Sequence, residues 1–523
     1  MAVFTRISNA VLVGFALISL VSAQPAHAKV NPADGQRLKT IFTQMIEGYS
    51  NEVKKQGGQL VTEGTVMIEP SDNYFAITLP HITIVGSDKS KINLGMISIN
   101  ALPGDKKEEW KMTVALPTPI TMLSPDGKES GIVQIGSQNF AGVFHETFKN
   151  FVRLNAQYKN IVYTDTLNSV KVTIPDLSTV YDLKEGSGGL WSGPMSAKAT
   201  GIQASFGKAG EAAKIREIAV QSSIKDYSIT EALAYQDKLQ SLLESLSTDS
   251  PSVSGPHAQG VYNTFFDFMT KVWDGFGSGI TISGIEITSP GSTDKPASTV
   301  KIEHLGFGLE GNGFRKNSVT MRQTFSLSGL TITPPPTGMK KAAPDNINID
   351  LTLTNLPFRE LVDLGQKTLE QSTAAPEGNG MAAMNGLATM QQLLTNAGTT
   401  LAVKDTGAGN ATDYNVLLNG AATANIKALM GATSKARLEV FGIDKLIAYA
   451  QQAAVDPALT PEAKAKAQSF LQTFTMLQMI GQQGQNTKGQ AIRSYDVELT
   501  AEGKTMLNGA DLMSVMGGAQ PTP

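Results

Sequence analysis

Strict alternation of apolar and polar residues constrains this chain more than any other feature. Ile347, Ile349, Leu351 and Leu353 alternate with Asn348, Asp350, Thr352 and Thr354. A period of two puts one set on each face of a strand, so one face is built for burial and the other for water. Pro357 then opens a helical pattern with Phe358, Leu361, Val362 and Leu369 on one side. The same strand–turn–helix logic returns from Lys435. Leu438 and Val440 alternate with Arg437 and Glu439, Gly442 turns the chain, and Ile443, Leu446, Ile447 and Ala450 form a helical stripe.

Alternation also runs through the first half. Phe75, Ile77 and Leu79 form one set, then Ile82 and Ile84, Ile92 and Leu94, and Ile97 and Ile99. Turn residues at Pro70–Asn73, Gly86–Asp88, Pro103–Asp105 and Pro125–Gly127 separate them, which predicts consecutive antiparallel strands. Later strands carry phase shifts. Ile280 and Ile282 give way at Gly284 to Ile285 and Ile287, and Phe325 and Leu327 give way at Gly329 to Leu330 and Ile332. A phase shift moves the apolar row to the other face, as a bulge does, so repeated shifts predict a bent sheet.

Helical spacing marks Asp34–Gln56, Ser228–Leu246, Gln259–Phe276, Met381–Asn396, Ile443–Ala454 and Pro461–Ile480. The expected fold class is therefore α+β and β-rich: long curved antiparallel sheets with amphipathic helices packed on one side. The expected organisation is a signal peptide over 1–28, an N-terminal helix and β domain over 29–246, and a Ser/Pro/Gly linker over 247–256. A second β-rich domain with strand–turn–helix units follows over 257–518, then a tail over 519–523.

Composition enters where location is argued. Only 17% of residues are charged, against 41% hydrophobic, and there are 50 glycines and no cysteine. That profile fits an exported β protein and excludes disulfides, thiolate metal sites and a lipid-modified N-terminal cysteine. A net charge of −3 leaves no basic footprint for nucleic acid. Arg6, the apolar run Ala10–Val21 and Ala26-His27-Ala28 have the three parts of a secretory signal, with cleavage between Ala28 and Lys29. No other stretch is long and apolar enough for a transmembrane helix, so the expected location is the periplasm.

Chemical motifs fail in context. Gly306-Phe-Gly308-Leu-Glu-Gly311 has dinucleotide-binding spacing, but it sits within a strand pattern with no helix after it. His145-Glu146 starts a zinc-helix motif, yet Lys149 stands where the second imidazole is needed. Ser292-Thr-Asp-Lys295 lies in a Gly/Pro turn. The reading is non-enzymatic, with no catalytic, cofactor or metal residues assigned. What remains is apolar binding. The expected contacts are Phe265, Phe266, Met269 and Trp273 in the most aromatic helix and Ile349, Leu351 and Leu353 on the alternating strand. Met381, Met384, Met390, Met476 and Met479 are adaptable additions.

Leu438-Glu-Val440-Phe-Gly442-Ile443-Asp444-Lys-Leu446, with Tyr495–Leu499 and Gly503-Lys-Thr-Met-Leu507-Asn508-Gly509, resembles uncharacterised periplasmic proteins of Gram-negative bacteria. Leu353-Thr-Asn-Leu356-Pro357 leading into a helix is similar to units of YdgA-like and, more distantly, AsmA-like envelope proteins. The resemblance covers mainly residues 346–516. It brings no catalytic residues, and its AsmA-like side implies lipid handling in the envelope. The expected function is binding or shielding of a lipid or other hydrophobic ligand in a groove along a curved sheet. The alternative is a non-enzymatic structural protein acting through an envelope protein partner. Intact mass of the exported chain should place its first residue at Lys29; a mass that retains residues 1–28 overturns the signal-peptide reading.

Overall fold

The structure, a computed structural model, describes residues 30–207, 210–235, 238, 256–291, 296–334, 343–374, 379–410, 412–486 and 489–512. The expected signal with its Ala28–Lys29 cleavage site, residues 247–255 of the linker, Ser292–Lys295 and the tail lie outside these residues. The protein is β-rich, its strands pair antiparallel, and helices flank them. Among the described residues no helix is long and apolar enough to cross a membrane. The chain divides into two compact units. The first holds residues up to Glu185 with Gly193–Ser222 and Ile282–Thr299; the second holds Gly186–Ser192, Ser223–Thr281 and the chain from Val300.

In the first unit, helix α1 (Pro32–Lys55) starts on Asn31, whose side chain accepts the Ala33 N–H, with Pro32 in the first turn. Strands β1 (Gln59–Glu63), β2 (Met67–Pro70), β3 (Phe75–Thr78), β4 (His81–Val85), β5 (Lys91–Gly95), β6 (Ser98–Pro103), β7 (Glu109–Ala115) and β8 (Ile120–Leu123) follow. They read best as four long antiparallel stretches, each broken in the middle. Stretch β1–β2 pairs with β3–β4, that with β5–β6, and that with β7–β8. The long β9 (Glu129–His145) then takes β8 on its first half and β7 on its last. Strands β10 (Asn150–Asp165), β11 (Val170–Asp182), the short β12 (Lys184–Glu185), β13 (Leu190–Phe206) and β14 (Glu211–Ser228) come next, with β9–β10–β11–β13 in order.

The expected succession of strands thus holds for the stretches, and the gaps between apolar sets, as between Leu79 and Ile82, are the breaks. The breaks lie side by side: Thr78 faces Ser98, and Ser98 faces Ala115. One backbone bond, from the Leu79 N–H to the Ile97 carbonyl at 2.9 Å, crosses this line. Val66, Leu79 and Ile97 are buried there in one cluster with Leu38, Ile41 and Phe42 of α1. Breaking the ladder frees those side chains to turn inward, and α1 supplies the apolar stripe that rewards them.

Further along the chain, α2 (Pro256–Val272) precedes β15 (Gly275–Ser289), whose residues from Ile282 count with the first unit, and then the second unit continues through β16 (Ser298–Asn312), β17 (Val319–Ser328), β18 (Thr331–Thr333) and β19 (Asn346–Leu356). Helices α3 (Phe358–Ala374) and α4 (Asn379–Ala397) follow, then β20 (Thr400–Asn410), β21 (Tyr414–Ala424) and β22 (Ala432–Phe441). Helices α5 (Ile443–Val455) and α6 (Pro461–Ile480) lead to β23 (Gln482–Gln485), β24 (Ala491–Leu499), β25 (Thr505–Leu507) and β26 (Ala510–Asp511). The ladder runs β16–β17–β19–β20–β21–β22–β24–β25. Gly442 starts α5 at φ 70°, and a Cβ there would collide with the Asp413 carbonyl oxygen, so glycine is required at this turn.

The aromatic helix ends sooner than its spacing predicts, at Val272. Asp274 donates its N–H to the Lys225 carbonyl at 3.0 Å, which starts strand pairing and carries Phe276 into β15. The phase-shift glycines sit at left-handed φ, Gly284 at 62° and Gly329 at 67°. Leu38 is fully buried at the centre of the first unit's core. Leu38→Ala should cost about 2–5 kcal/mol in urea denaturation, whereas a loss under about 0.5 kcal/mol, the usual range of surface changes, would show that α1 does not hold this core.

Candidate functional site

Registers in the second unit sort its side chains onto two faces. On one face Leu305, Leu327 and Ile347 lie abreast, then Phe307, Phe325 and Ile349, then Leu309, Gln323 and Leu351. Met321, Leu353 and Leu401 extend the row onto β20. The opposite face carries Glu310, Arg322 and Thr352 abreast, then Gly308, Thr324 and Asp350. Arg322 grips Asp350 with two bonds of 3.0 and 2.8 Å. That contact holds the Asp350 carboxyl below the usual range. A register shift between Asn348 and Leu351, with Asp405 at φ 45°, keeps Leu401 and Val403 on the apolar face after the irregularity.

Cover over this face is uneven. At β21–β24 it packs beneath α5 and α6: Val416, Leu438, Val440 and Tyr495 join Ile443, Leu446, Phe474 and Leu477 in one cluster. The Tyr495 hydroxyl donates to the Leu477 carbonyl at 2.7 Å and ties α6 to β24. Toward β16–β20 the cover runs out. Phe307 is 45% exposed and Leu401 44%, and Leu305, Phe325, Ile347, Ile349, Leu351 and Leu353 are half-buried.

The expected aromatic contacts gather elsewhere. Phe265 and Phe266 of α2 meet at 5.3 Å between ring centres, Phe266 meets Phe358 at 5.2 Å, and Phe358 meets Phe314 at 5.3 Å. Phe314 stacks on Phe276 at 5.8 Å, and Trp273 reaches Phe276 at 5.7 Å and Phe268 at 5.0 Å. Met269 is half-buried on α2. Phe358 opens α3 just past Leu356, so this cluster sits at one end of β19. At roughly 3.3 Å per residue, Ile349 is about 23 Å along the strand from Leu356. The seven expected contacts therefore fall into an aromatic cluster and a strand row. Phe358 belongs to the cluster, with Phe314, which sequence spacing did not single out. Of the methionines, Met384, Met390, Met476 and Met479 are exposed, and the Met381 side chain lies outside the described residues.

Asp274 pins this cluster. It is 2% exposed, accepts the Lys225 ammonium at 2.9 Å and the Arg315 N–H at 3.1 Å, and its carbonyl accepts from Gly313 and Phe314. Arg315 also donates to the Lys271 carbonyl at 2.9 Å, closing the end of α2. Burial pushes the Asp274 carboxyl up, but the Lys225 and Arg315 hydrogen bonds outweigh it and hold its pKa below the ordinary value. Beside it, the Trp273 indole N–H is buried with no hydrogen-bond partner among the described residues.

Other chemistry is poorly placed. A hollow of 440 Å³ lies on the polar face between β21 and β25, lined by Asn419, Lys435, Arg437, Asp496, Glu498 and Met506 among others. Its charges pair with one another, Lys435 with Glu498 at 3.1 Å and Arg437 with Asp496 at 3.2 Å. In the first unit, Glu146 accepts from the Trp110 indole at 2.5 Å and from Arg37 at 2.8 Å, which fixes α1 to the sheet. Neighbouring His145 is buried, which lowers its pKa, while Glu108, 3.8 Å away, acts in the opposite direction. Among the described residues no three His, Asp or Glu side chains gather as metal ligands would. Gly306 and Gly308 lie inside β16, so no helix N-terminus faces them. No protein-family model matches the chain, and neither a curated protein nor a solved structure is similar to it.

The Asp274 shift sets a pH signature. A carboxyl whose folded pKa is depressed stabilises the fold above its unfolded pKa of about 3.9 and loses that contribution as pH falls through the folded value. Asp274→Asn should cost about 1–3 kcal/mol at neutral pH in urea denaturation. The gap from the parent protein should narrow below pH ~4, and a gap that stays constant there overturns the assignment.

Proposed function

We propose that the uncovered apolar face of β16–β20 binds an acyl chain or similarly extended hydrophobic ligand, making the protein a non-enzymatic lipid binder or shield of the periplasm. The observation that carries this reading is the uneven cover. One face is apolar from β16 to β24; α5 and α6 bury its far end, α4 touches β19 and β21, and the β16–β20 stretch stays half-exposed. Each methylene laid on such a face gains about 0.8 kcal/mol, so ten give about 8 kcal/mol before the cost of association. The low charge content and the signal-like N-terminus support the envelope location, and the resemblance to AsmA-like proteins points the same way.

The face is open rather than a closed cavity, and that favours a flexible chain over a compact ligand. Among the described residues no acid, base or nucleophile converges on it, and the non-enzymatic reading rests on the failed sequence motifs. Phe307→Asp and Leu401→Asp should each cut uptake of a fluorescent fatty acid about tenfold or more, because a carboxylate must then be desolvated against the chain. Glu310→Gln on the opposite face should leave uptake unchanged. Equal behaviour of all three variants, or no uptake together with no lipid in native mass spectra, removes the proposal in favour of a protein interface.

A further inference from the structure

Beyond ligand uptake, we propose that the β21–β22 loop, Asn425–Gly431, is a docking tip that inserts into a lipid bilayer bearing anionic headgroups. Its sequence is Ile426-Lys427-Ala428-Leu429-Met430 between Asn425 and Gly431. Leu429 is 77% exposed, Met430 68% and Ile426 46%. Three large apolar side chains at one loop tip are costly in water and favourable in an acyl layer.

The backbone of the tip suits that layer. A segment entering hydrocarbon must satisfy its own polar groups, because no water is there to do it. Here the Asn425 N–H donates to the Gly431 carbonyl at 2.9 Å and the Gly431 N–H to the Ala428 carbonyl at 2.8 Å. The Ala428 N–H donates to the Asn425 carbonyl at 3.0 Å and the Lys427 N–H to the Asn425 side chain at 3.0 Å. The Leu429 N–H reaches across to the Ala501 carbonyl at 2.9 Å.

Charge selects the surface. Lys427 is the single charged residue between Leu417 and Ser434, and it sits at the tip, where a headgroup phosphate would meet it. The adjoining β24–β25 turn carries Glu502 and Lys504, which offset each other. Gly431 lies against the Gln391 side chain of α4. That helix has no charged residue in its whole length and exposes Met384 and Leu387. The tip and an uncharged helix thus adjoin, and a bilayer is the occupant that suits a protruding aliphatic tip with one cation. The Ala424 N–H donates to the Thr399 carbonyl at 3.0 Å, so the tip adjoins the Leu353–Leu401 end of the apolar face. Docking there would bring that end toward the acyl layer.

The test is sedimentation with vesicles of phosphatidylethanolamine and phosphatidylglycerol, against vesicles of phosphatidylcholine alone. All variants share one N-terminus, so differences report the loop. Leu429→Ser combined with Met430→Ser should weaken binding to the anionic vesicles about tenfold or more. Lys427→Gln should weaken it about fivefold on anionic vesicles and not on neutral ones. Because the chain has no cysteine, Met430→Cys gives a single site for an environment-sensitive dye, whose emission should shift to the blue on vesicle addition. These positions are exposed, so unchanged thermal unfolding of each variant serves as the folding control. Binding that survives the double substitution, or a dye that does not shift, overturns the proposal. A dimer that Met430→Ser dissolves, without vesicle binding, would assign the tip to a second copy instead. Fatty-acid uptake is measured without vesicles, so either proposal can fail alone.

Discussion

A strand with strict alternation has one face to bury, and the helices available decide how much of that face leaves water. The two units answer this constraint differently. In the first, α1 lays one stripe across a broken ladder, and the break itself turns Val66, Leu79 and Ile97 toward it. In the second, α5 and α6 cover the β21–β24 end, with the Tyr495 hydroxyl bonded to α6. The β16–β20 end of the same face stays half-exposed. Under the proposed function, the open end of this face is the binding surface and the covered end is core.

Part-buried ion pairs and charged hydrogen bonds tie the helices to the strands. Asp274 joins Lys225 to the Gly313–Arg315 turn at one point, both distant from it in sequence. Glu146 does the same for Arg37 and Trp110. Such groups rarely add much net stability over an apolar alternative, but they penalise every arrangement that leaves them unpaired. In a β-rich chain with few charges, this is how register and helix placement are specified without disulfides. The pins sit beside the aromatic clusters, where a one-residue slip would expose the largest side chains.

Periodicity made the elements legible and left their partners hidden. The alternation of Ile347–Leu353 marks β19, and the caps at Thr460-Pro461 and Gly442 mark α6 and α5. Even the breaks between β3 and β4 show in the spacing of Leu79 and Ile82. What could not be read is which strands lie abreast. Phe307, Phe325 and Ile349 share a row only because of register, and that depends on hydrogen bonds between residues far apart in the chain. The same limit split the expected contact set. Phe266 and Leu351 look alike in composition, yet Phe358 draws the first to the end of β19 while the second lies along it. Asp274 gave no signal at all, since a lone aspartate after a helix resembles any turn residue.

The geometry of the open face also limits what it can select. Its row is almost wholly apolar, with Gln323 the polar exception among the abreast positions. The polar hollow lies on the opposite face, its charges already paired. An apolar strip measures length and flexibility, because each added methylene contributes a similar increment. It cannot strongly discriminate headgroups, which demands buried polar groups that would be left unsatisfied by the wrong ligand. Beside the aromatic cluster the Trp273 indole N–H, the Arg315 Nε and the Asn263 amide oxygen are buried without a hydrogen-bond partner among the described residues. On this reading the protein discriminates by the shape of the tail and holds the head loosely, which suits a carrier or shield that must also let go.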